Sequence, residues 1–534
     1  MAGDGSSSLE REIQAQVEEW SSNSTEIFEL SLYRGNRLEA TFEPEFTYPI
    51  FGEDEAIFGY QGLKISLAFA AHNLKPHLEI TYDRKFPDQG EVKATDVRGA
   101  LEDFLPDAAF SEGSHVSVLA DSEAAKFTPP GEKISTYASD GTLFEVYCSS
   151  LADPQALEIM QNMQILVPLY IEGGTMLELE LPWIVERWKL YLLYEIDDQV
   201  EAGVSKYCLA GYSTSFRTFT FPDRQAQSAD SVTEQEIDKL VAQWSKEKNT
   251  TDDAKGPMDL PSRERLSQFI ILPPYQGKGL GSQLYIVMYA ESIAPPNVVE
   301  FTVEDPNEAF DDMRDVCDLI HLRLYEDDFA TLSINTAIAP AKLKSDTHIP
   351  TDDIVHGPTK ERVQKSTKIM PRQLARLIEM ETLSKIPRMN RSANRITRKE
   401  KSSNENDRAY YFWRLYVKQR LYIHNRDTLI QLDREERIEK LEGALEGLQG
   451  DYERLLDLAD RRAVHYSSSN GQSTAGASKK RGNKRKAEAD ADDVEVENET
   501  ETSNATVTGP RKRRAARIVD DDEDGEDIGG AFDA

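Results

Sequence analysis

The sequence predicts an α/β protein in which a mixed sheet is flanked by helices, with an N-terminal α/β domain, a C-terminal helical domain and a disordered tail. Residues 267–285 contain an apolar run, two prolines, a glycine-rich turn and a helix-periodic stretch. Before and after them, short β-type runs alternate with helical patterns, which is typical of α/β folds. From residue 466 onward large apolar side chains almost disappear, so this part cannot bury enough surface to fold.

The composition limits the classes of function. A chain of 534 residues is too long for one core, and an apolar content of 39% indicates that part of it is disordered. Its net charge of −33 argues against bulk nucleic-acid binding, because the phosphate backbone would be repelled. That charge suits a polybasic partner, or it serves solubility alone. Both interpretations stay open.

The cysteines and the N-terminus predict a cellular setting. Cys148, Cys208 and Cys317 have neither paired nor metal-ligand spacing, which predicts a reducing compartment and no metal site. The N-terminus has no signal segment, and no apolar run approaches the roughly 20 residues of a membrane span. We therefore expect a soluble intracellular protein without a membrane partner.

Changes in pattern divide the chain into four predicted regions. Residues 1–130 alternate β-type runs with turns, and 131–335 contain the glycine-rich turn and form the predicted catalytic domain. Residues 336–465 are charged and helical, and 466–534 form the tail. A polar insertion at 222–261, with a short helical pattern at 234–244, should be mobile. Further predicted strands are 27–33, 62–70, 78–82, 143–147, 188–194, 206–219, 267–272 and 298–303, and predicted helices are 154–169, 307–323 and 370–384.

An apolar seam runs through the last helical part. Its members recur at intervals of three and four residues: Ile438, Leu441, Leu445, Leu448, Tyr452 and Leu455. The seam covers fewer than the three to four heptads that indicate a coiled coil. It favours a helical hairpin that packs on its own domain, with a coiled coil as the alternative. The basic stretch 385–401 before it is predicted to be a loop.

The strand, glycine turn and helix at 267–285 predict a site for a pyrophosphate. Such a turn presents unpaired backbone N–H groups and the positive end of a helix. Gly279 and Gly281 can take positive φ and leave no Cβ in front of the backbone. The Lys-Ser/Thr pair of a Walker loop and the glycine spacing of a dinucleotide fold are both missing. The spacing Gln276-x-x-Gly279-x-Gly281 resembles the coenzyme A motif of the GNAT acetyltransferases, which implies acetyl-CoA as co-substrate.

Three further segments resemble one family, the catalytic subunits of type B histone acetyltransferases. They are Thr-Val-Glu-Asp-Pro-Asn-Glu-Ala-Phe at 302–310, Phe-Glu-Pro-Glu-Phe-Thr-Tyr-Pro-Ile-Phe-Gly-Glu-Asp-Glu at 42–55, and Gln-Leu-Ala-Arg-Leu-Ile-Glu-Met at 373–380. The resemblance covers about residues 25–385, and the later helices and tail look like a fungal-type extension. It implies a GNAT core whose sheet is splayed beside the pyrophosphate strand.

The resemblance also implies an activity and partners. The expected reaction transfers acetyl from acetyl-CoA to lysines in the N-terminal tail of newly made histone 4, through a ternary complex and without a metal. Expected partners are histone 4 with histone 3 and a WD-repeat histone-binding propeller, with the N-terminal domain contacting chaperone or histone. Two alternatives stay open. One is an acetyltransferase for another lysine-bearing protein, and the other is a non-catalytic histone-chaperone scaffold.

Acyl transfer to lysine needs a base, since only about one free ε-amine in a few thousand is uncharged at neutral pH. A carboxylate near the thioester can accept the proton if burial raises its pKa toward neutrality. By resemblance Glu304 is that base, and Asp305 and Glu172 support it. From the residues alone, a non-catalytic interpretation stays open for each carboxylate. Glu304 and Asp305 could form only an acidic strand exit and helix cap, and Glu172 could lie in a plain turn.

The resemblance assigns the remaining cofactor contacts. Backbone amides of 270–272 would pair with the pantetheine arm, and one could face the developing oxyanion. Asn307 and Phe310 match positions that contact the pantetheine and adenosine portions. Cys317 with His321 one turn later could form a nucleophile pair, but we expect Cys317 to be a core residue. The full predicted set is Phe269, Ile270, Ile271, Leu272, Gln276, Gly277, Lys278, Gly279, Leu280, Gly281, Ser282, Asn307 and Phe310.

The tail contains two basic clusters, at 479–486 and 511–514, and an acidic run at 520–527. Each basic cluster can serve as an import signal, so we expect the protein in the nucleus as well as the cytoplasm. The alternative is a solvated polyampholyte. The acidic run either binds histones or balances the charge beside it.

Overall fold

The structure, a computed structural model, describes residues 18–87, 90, 92–220, 257–343, 348–395 and 403–469. The chain forms two compact units. One contains the residues up to 317 together with 361–376, and the other contains 318–360 together with the residues from 377 onward. The predicted helix at 234–244, most of the insertion at 222–261 and nearly all of the predicted tail lie outside the described residues. The division into four regions stays a prediction.

Short strands and helices form the N-terminal part of the first unit. They are β1 (Ser21–Asn23), α1 (Ser24–Ile27), β2 (Phe28–Arg34), β3 (Arg37–Phe42), α2 (Tyr48–Phe51), β4 (Ala56–Phe58), β5 (Tyr60–Gln61), β6 (Lys64–Ala70), β7 (Pro76–Thr81), β8 (Arg84–Lys85), α3 (Val97–Glu102) and α4 (His115–Val118). A four-stranded sheet has the order β3-β2-β6-β7, with β2 and β6 parallel. The predicted strands at 27–33, 62–70 and 78–82 are thus confirmed.

The segment 42–58, which includes the family-like string at 42–55, contains α2 and β4. Its order comes from Glu55, whose Oε1 accepts the backbone N–H groups of Thr47 and Tyr48 at 2.5 and 3.2 Å. These bonds favour the charged carboxylate, so the pKa of Glu55 lies below its usual value, chiefly because of the Thr47 amide. One glutamate therefore holds the turn that contains α2.

The larger part of the first unit is a six-stranded sheet with its helices. The elements are β9 (Glu132–Ser139), β10 (Thr142–Ser150), α5 (Pro154–Met163), α6 (Leu166–Tyr170), α7 (Pro182–Val185), β11 (Trp188–Ile196), β12 (Tyr207–Phe219), β13 (Ser262–Ile271), α8 (Leu280–Ile293), β14 (Val298–Val303) and α9 (Glu308–Tyr325). The strand order is β14-β13-β12-β11-β10-β9, and only β13 and β14 are parallel. The predicted mixed α/β fold with a GNAT-type core is confirmed.

The helix predicted at 154–169 is divided into α5 and α6. Pro168 has no N–H to donate to the carbonyl of Gln164, and that carbonyl instead accepts the Val167 N–H at 3.0 Å. The break therefore follows from one proline in an otherwise helical pattern.

Strands β13 and β14 separate part-way along their length. Their pairing ends at Leu266 and Val303, whereas β13 continues to Ile271 paired only with β12. Opposite β12, Ser267 is an extra residue, because Ser215 faces Leu266 and Thr214 already faces Gln268. Such a bulge bends its strand and increases the local twist. The sheet consequently opens on one side of β13 beyond the bulge.

The other edge of β14 is covered by a later segment. Phe301 forms a parallel bridge with Ile369. The Phe301 N–H donates to the Lys368 carbonyl at 2.6 Å, and the Met370 N–H donates to the Phe301 carbonyl at 3.1 Å. Residues 361–376 thus return to the first unit and lie along the end of its sheet.

Helices form the second unit. Besides the last residues of α9, the helices that lie wholly or partly in it are α10 (Asp327–Thr331), α11 (Thr351–Ile354), α12 (Gly357–Thr367), α13 (Pro371–Ser384), α14 (Glu405–His424), α15 (Arg426–Leu429) and α16 (Arg434–Ser469). Leu445, Tyr452 and Leu455 of the predicted seam are buried, and the Tyr410 hydroxyl of α14 donates to Gln449 of α16 at 2.7 Å. The later part of the seam is therefore buried in a helical hairpin within its own unit, whereas Ile438 at its start is exposed.

A buried carboxylate holds these helices together. Glu379 on α13 is fully buried, and its carboxylate accepts hydrogen bonds from Nε and Nη2 of Arg420 at 2.8 and 3.0 Å. The Tyr452 hydroxyl adds a third bond at 2.8 Å, and the Trp413 indole N–H donates to the Glu379 carbonyl at 2.9 Å. None of the helices in the described residues is long and apolar enough to cross a membrane.

Candidate active site

The separation of β13 from β14 leaves a backbone edge open. The last link between the two strands is the Glu304 N–H, which donates to the Leu266 carbonyl at 2.9 Å. Beyond it, the Leu272 N–H donates to Ala210 of the β12 side at 2.9 Å. Because backbone groups point alternately to the two sides of an antiparallel strand, the N–H and C=O groups of Phe269 and Ile271 point to the open edge.

This alternation corrects one expectation. Of the three amides at 270–272 predicted to pair with the pantetheine arm, that of Leu272 is already bonded within the sheet. The Ile271 carbonyl at the open edge accepts the side-chain N–H of Gln276 at 2.9 Å. Gln276 therefore ties the loop after β13 to the open edge.

The glycine-rich loop connects β13 to α8 through a short 3₁₀ turn, Pro273–Tyr275. Gly277 and Gly279 both have φ of +75°, and a Cβ at either position would meet no atom within 4 Å. Gly279 is also the residue before the first turn of α8. The loop therefore offers a left-handed backbone with open space in front of it, which fits a bound pyrophosphate.

Gly281 serves a different purpose from the one the sequence predicts. It lies inside α8 with a helical backbone, so the expectation of a positive φ there is wrong. A Cβ at this position would lie 3.1 Å from Met313 Sδ, 3.6 Å from Ile271 Cγ1 and 3.7 Å from Phe269 Cε1. Gly281 is needed because α8 packs closely against β13 and α9.

The rest of the loop is fastened by its own contacts. The Lys278 ammonium donates to the Pro274 carbonyl at 3.0 Å and lies 5.2 Å from the ring centre of Tyr275. The Ser139 hydroxyl of β9 donates to the Lys278 carbonyl at 3.3 Å. Open space at Gly277 and Gly279, the first turn of α8 and the open strand edge together fit acetyl-CoA.

Asn307 and Phe310 lie where α9 begins. The Asn307 side chain accepts the Phe310 N–H at 2.9 Å and so caps the helix. Phe310 packs edge-to-face on Phe269 and Tyr285, with ring centres 5.1 and 5.9 Å apart. These contacts connect the start of α9 to β13 and α8.

Glu304 and Asp305 follow directly after β14. The Glu304 side chain is 34% exposed and its Oε1 lies 3.1 Å from an Arg265 guanidinium nitrogen. The burial invoked for a catalytic base is thus only partial in this structure. Asp305 is exposed, with φ of +34°, a strained conformation for a residue other than glycine.

Glu172 lies in an exposed turn. Gly173 has φ of +70°, and the Gly174 N–H donates back to the Ile171 carbonyl at 2.9 Å. The turn is connected to the open edge through Gln268, whose side-chain N–H donates to the Thr175 carbonyl at 3.0 Å. Among the described residues, no contact joins Glu172 to Glu304 or Asp305.

The cysteines are structural. Cys317 is buried, as the sequence predicts. Burial raises the pKa of Cys148 and of Cys208 to about 11, which disfavours the reactive thiolate. Within the described residues, no group of three or more His, Cys, Asp or Glu side chains could hold a metal ion.

Sequence reasoning missed Arg265 and Gln268. Both lie on β13, where polar residues interrupt a strand that ends in an apolar run. The glutamine beside that apolar run is the signal that could have drawn attention to this position. Its burial and its place beside the opening depend on the bulge, which no local pattern indicates.

Comparison with known proteins agrees with this geometry. The family model "Histone acetyl transferase HAT1 N-terminus" matches residues 20–172. A protein of Aspergillus oryzae is 36% identical over 465 residues, which are 83% of this chain and 87% of the relative. Relatives from Pyricularia oryzae (36%, 88% of this chain, 98% of the relative) and Candida albicans (32%, 83% and 91%) are also similar. All three bear the name histone acetyltransferase type B catalytic subunit. This chain is therefore an acetyltransferase, and it belongs to the family of type B histone acetyltransferase catalytic subunits.

Proposed function

We propose that this enzyme acetylates lysine ε-amines in the N-terminal tail of newly made histone 4. The name of its relatives supports a histone as the acceptor. The observation that carries the proposal is the opening between β13 and β14, with a glycine loop at one end and Glu304 at its base. A thioester and an amine can meet there beside a carboxylate. The net charge of −33 favours a polybasic tail over a neutral acceptor.

The residues around the opening have separate tasks. The loop at 276–282 would hold the pyrophosphate, and the open backbone of Phe269 and Ile271 would hold the pantetheine arm. Acetyl-CoA supplies an activated thioester carbonyl. One N–H of the open edge would stabilise the charge that develops on the carbonyl oxygen.

Glu304 would accept a proton from the lysine ε-ammonium, which frees the electron pair with which the nitrogen attacks the thioester. In this structure its carboxylate is paired with Arg265, at 3.1 Å. A substrate cation that arrives beside Glu304 would compete with this partner. The lysine nitrogen then bonds to the acetyl carbon as the carbon–sulfur bond breaks, and the coenzyme A sulfur leaves with the bonding electrons and takes up the second proton that the nitrogen releases. Asp305 and Glu172 would support Glu304 by the charge that they place near the opening.

Partners and location complete the proposal. A WD-repeat histone-binding propeller and histone 3 would present the tail. The basic clusters at 479–486 and 511–514 would direct part of the protein to the nucleus, where its acidic run could contact histones. These clusters lie outside the described residues.

The decisive experiment incubates the full chain and acetyl-CoA with a mixture of core histones and locates new acetyl groups by mass spectrometry. We expect acetyl groups on histone 4 tail lysines. Acetylation confined to a different protein would favour the alternative acetyltransferase, and no acetylation with intact acetyl-CoA binding would favour the non-catalytic scaffold.

The matched variants Glu304→Gln and Asp305→Asn test the base. Glu304→Gln should lower kcat by about 100-fold or more while acetyl-CoA binding is retained, which is the usual scale for a lost base. Asp305→Asn removes a neighbouring charge, and asparagine readily adopts a positive φ, so the decrease in kcat should be smaller. A decrease in kcat of less than about threefold for Glu304→Gln would show that another group accepts the proton.

A further inference from the structure

Gln268 directly follows Ser267, the extra residue of the β13 bulge, where the sheet opens. Its side chain is buried, since the residue is only 3% exposed. Both backbone groups are bonded to side chains of β12. Its N–H donates to Thr214 Oγ1 at 3.1 Å, and its carbonyl accepts the Ser213 hydroxyl at 2.7 Å. The bulge thus holds this residue in one place.

The side-chain amide of Gln268 is only half satisfied. Its Nε2 donates to the Thr175 carbonyl at 3.0 Å, which fixes the orientation of the amide because a carbonyl needs a donor. Among the described residues, no donor lies within hydrogen-bond distance of the buried Oε1. A buried acceptor without a hydrogen bond destabilises the folded chain, so it calls for a physical reason.

The position of Gln268 suggests the reason. It lies two residues beyond Leu266, whose carbonyl accepts the Glu304 N–H. Its amide also holds Thr175, in the segment that follows Glu172. The side chain therefore connects the strand that is hydrogen-bonded to Glu304, one predicted catalytic carboxylate, with the loop that carries another. A donor that enters between these two segments would come within reach of Oε1.

We propose that Gln268 binds the acceptor substrate, and that its Oε1 accepts a hydrogen bond from the ε-nitrogen of the lysine. A neutral carbonyl suits this task better than a carboxylate does. It can accept from the ammonium, from the amine and from the product amide without stabilising the charged form strongly. The inference rests on the proposed function only in that the acceptor is a lysine; it does not require a histone.

A bisubstrate probe tests the proposal directly. The probe is lysyl-coenzyme A, in which the lysine ε-nitrogen is joined through an acetyl bridge to the sulfur, and coenzyme A alone is its reference. Gln268→Met keeps the length of the side chain but removes its polar atoms. We expect calorimetry to show about tenfold weaker binding of lysyl-coenzyme A and a change of less than twofold for coenzyme A, because only the first probe supplies the N–H donor.

Gln164 provides the matched control. Its Oε1 accepts the Leu177 N–H at 2.5 Å, so it anchors the same loop, and its acceptor oxygen already has a donor. Gln164→Met should loosen the loop but retain the extra affinity for lysyl-coenzyme A. The proposal is wrong if Gln268→Met binds lysyl-coenzyme A as the wild type does, or if Gln164→Met loses as much affinity. In either case the role of Gln268 would be to order the loop, or a bound water would donate to its Oε1.

Gln268→Glu guards against a folding defect in Gln268→Met. It keeps an acceptor oxygen in the same place, so it should bind lysyl-coenzyme A more tightly than Gln268→Met does. If both variants lose the same affinity for lysyl-coenzyme A while they bind coenzyme A as the wild type does, the proposal is also overturned. If the wild type binds lysyl-coenzyme A in a Gln268-dependent manner but does not modify histones, the inference stands and the proposed histone substrate fails.

Discussion

Gly281→Val should disrupt cofactor binding through packing. The first added carbon would lie 3.1 Å from Met313 Sδ, closer than most real contacts, and 3.6 Å from Ile271 Cγ1. Alanine is tolerable, since the flexible methionine can shift and an alanine gains about 0.5–1 kcal/mol over glycine inside a helix. Valine adds two further carbons in a filled space, and overpacking of this kind costs about 1–3 kcal/mol.

This strain should move the first turn of α8 away from β13. Because the loop of Gly277 and Gly279 ends in that turn, the backbone groups that would bind the pyrophosphate move with it. We expect Gly281→Val to raise the Kd for acetyl-CoA about tenfold, which corresponds to about 1.4 kcal/mol, and Gly281→Ala to change it less than threefold.

Titration calorimetry measures both values. Gly443→Val is the control, because Gly443 also lies inside a helix but a Cβ there meets no atom within 4 Å. It should leave the affinity for acetyl-CoA unchanged. Wild-type affinity in Gly281→Val would refute the argument that close packing of this helix shapes the cofactor loop.

Three further predictions concern other parts of the chain. Glu379→Ala should destabilise the helical unit by about 3–5 kcal/mol in urea unfolding, because it removes the buried carboxylate that accepts hydrogen bonds from Arg420 and Tyr452; a shift below about 1 kcal/mol would contradict this. Burial lowers the pKa of His72, and Asp121 offsets this only in part. Below about pH 6.5 the unfolded chain therefore binds more protons, so the wild type should lose thermal stability between pH 7.5 and 5.5, and His72→Gln should lose less. Removal of residues 470–534 should leave kcat on a histone tail peptide unchanged and reduce nuclear accumulation of a fluorescently tagged protein; a tenfold lower kcat, or an unchanged nuclear signal, would argue against these roles.

Local patterns were sufficient to predict most of the sheet and the loop. The long hairpin of β11 and β12, the strand before the loop and the helix after it all follow from residue periodicity and from punctuation by glycine and proline. These features are predictable because each depends on residues that are neighbours in sequence. The sequence also predicted Cys317 as a core residue.

Features that depend on distant residues were not predictable. The tight environment of Gly281 is created by Met313 on another helix, and the pairing of Glu304 with Arg265 depends on parallel strands that meet. The apolar stripe of α13 gave no sign that Glu379 beside it is fully buried, because its partner Arg420 lies on α14. Such neighbours become visible only when the chain is folded.

The short segment at 368–370 protects the outermost strand of the catalytic sheet from other molecules. Without its bonds to Phe301, β14 would present an unpaired row of backbone donors and acceptors, and exposed edges of this kind recruit strands from neighbouring chains. A polypeptide shortened to end at residue 335 would retain the glycine loop and Glu304 but lose this cover. We expect it to aggregate rather than to behave as an independent catalytic fragment. Solubility of the sheet would thus depend on a stretch of chain that lies far along the sequence from the glycine loop and from Glu304.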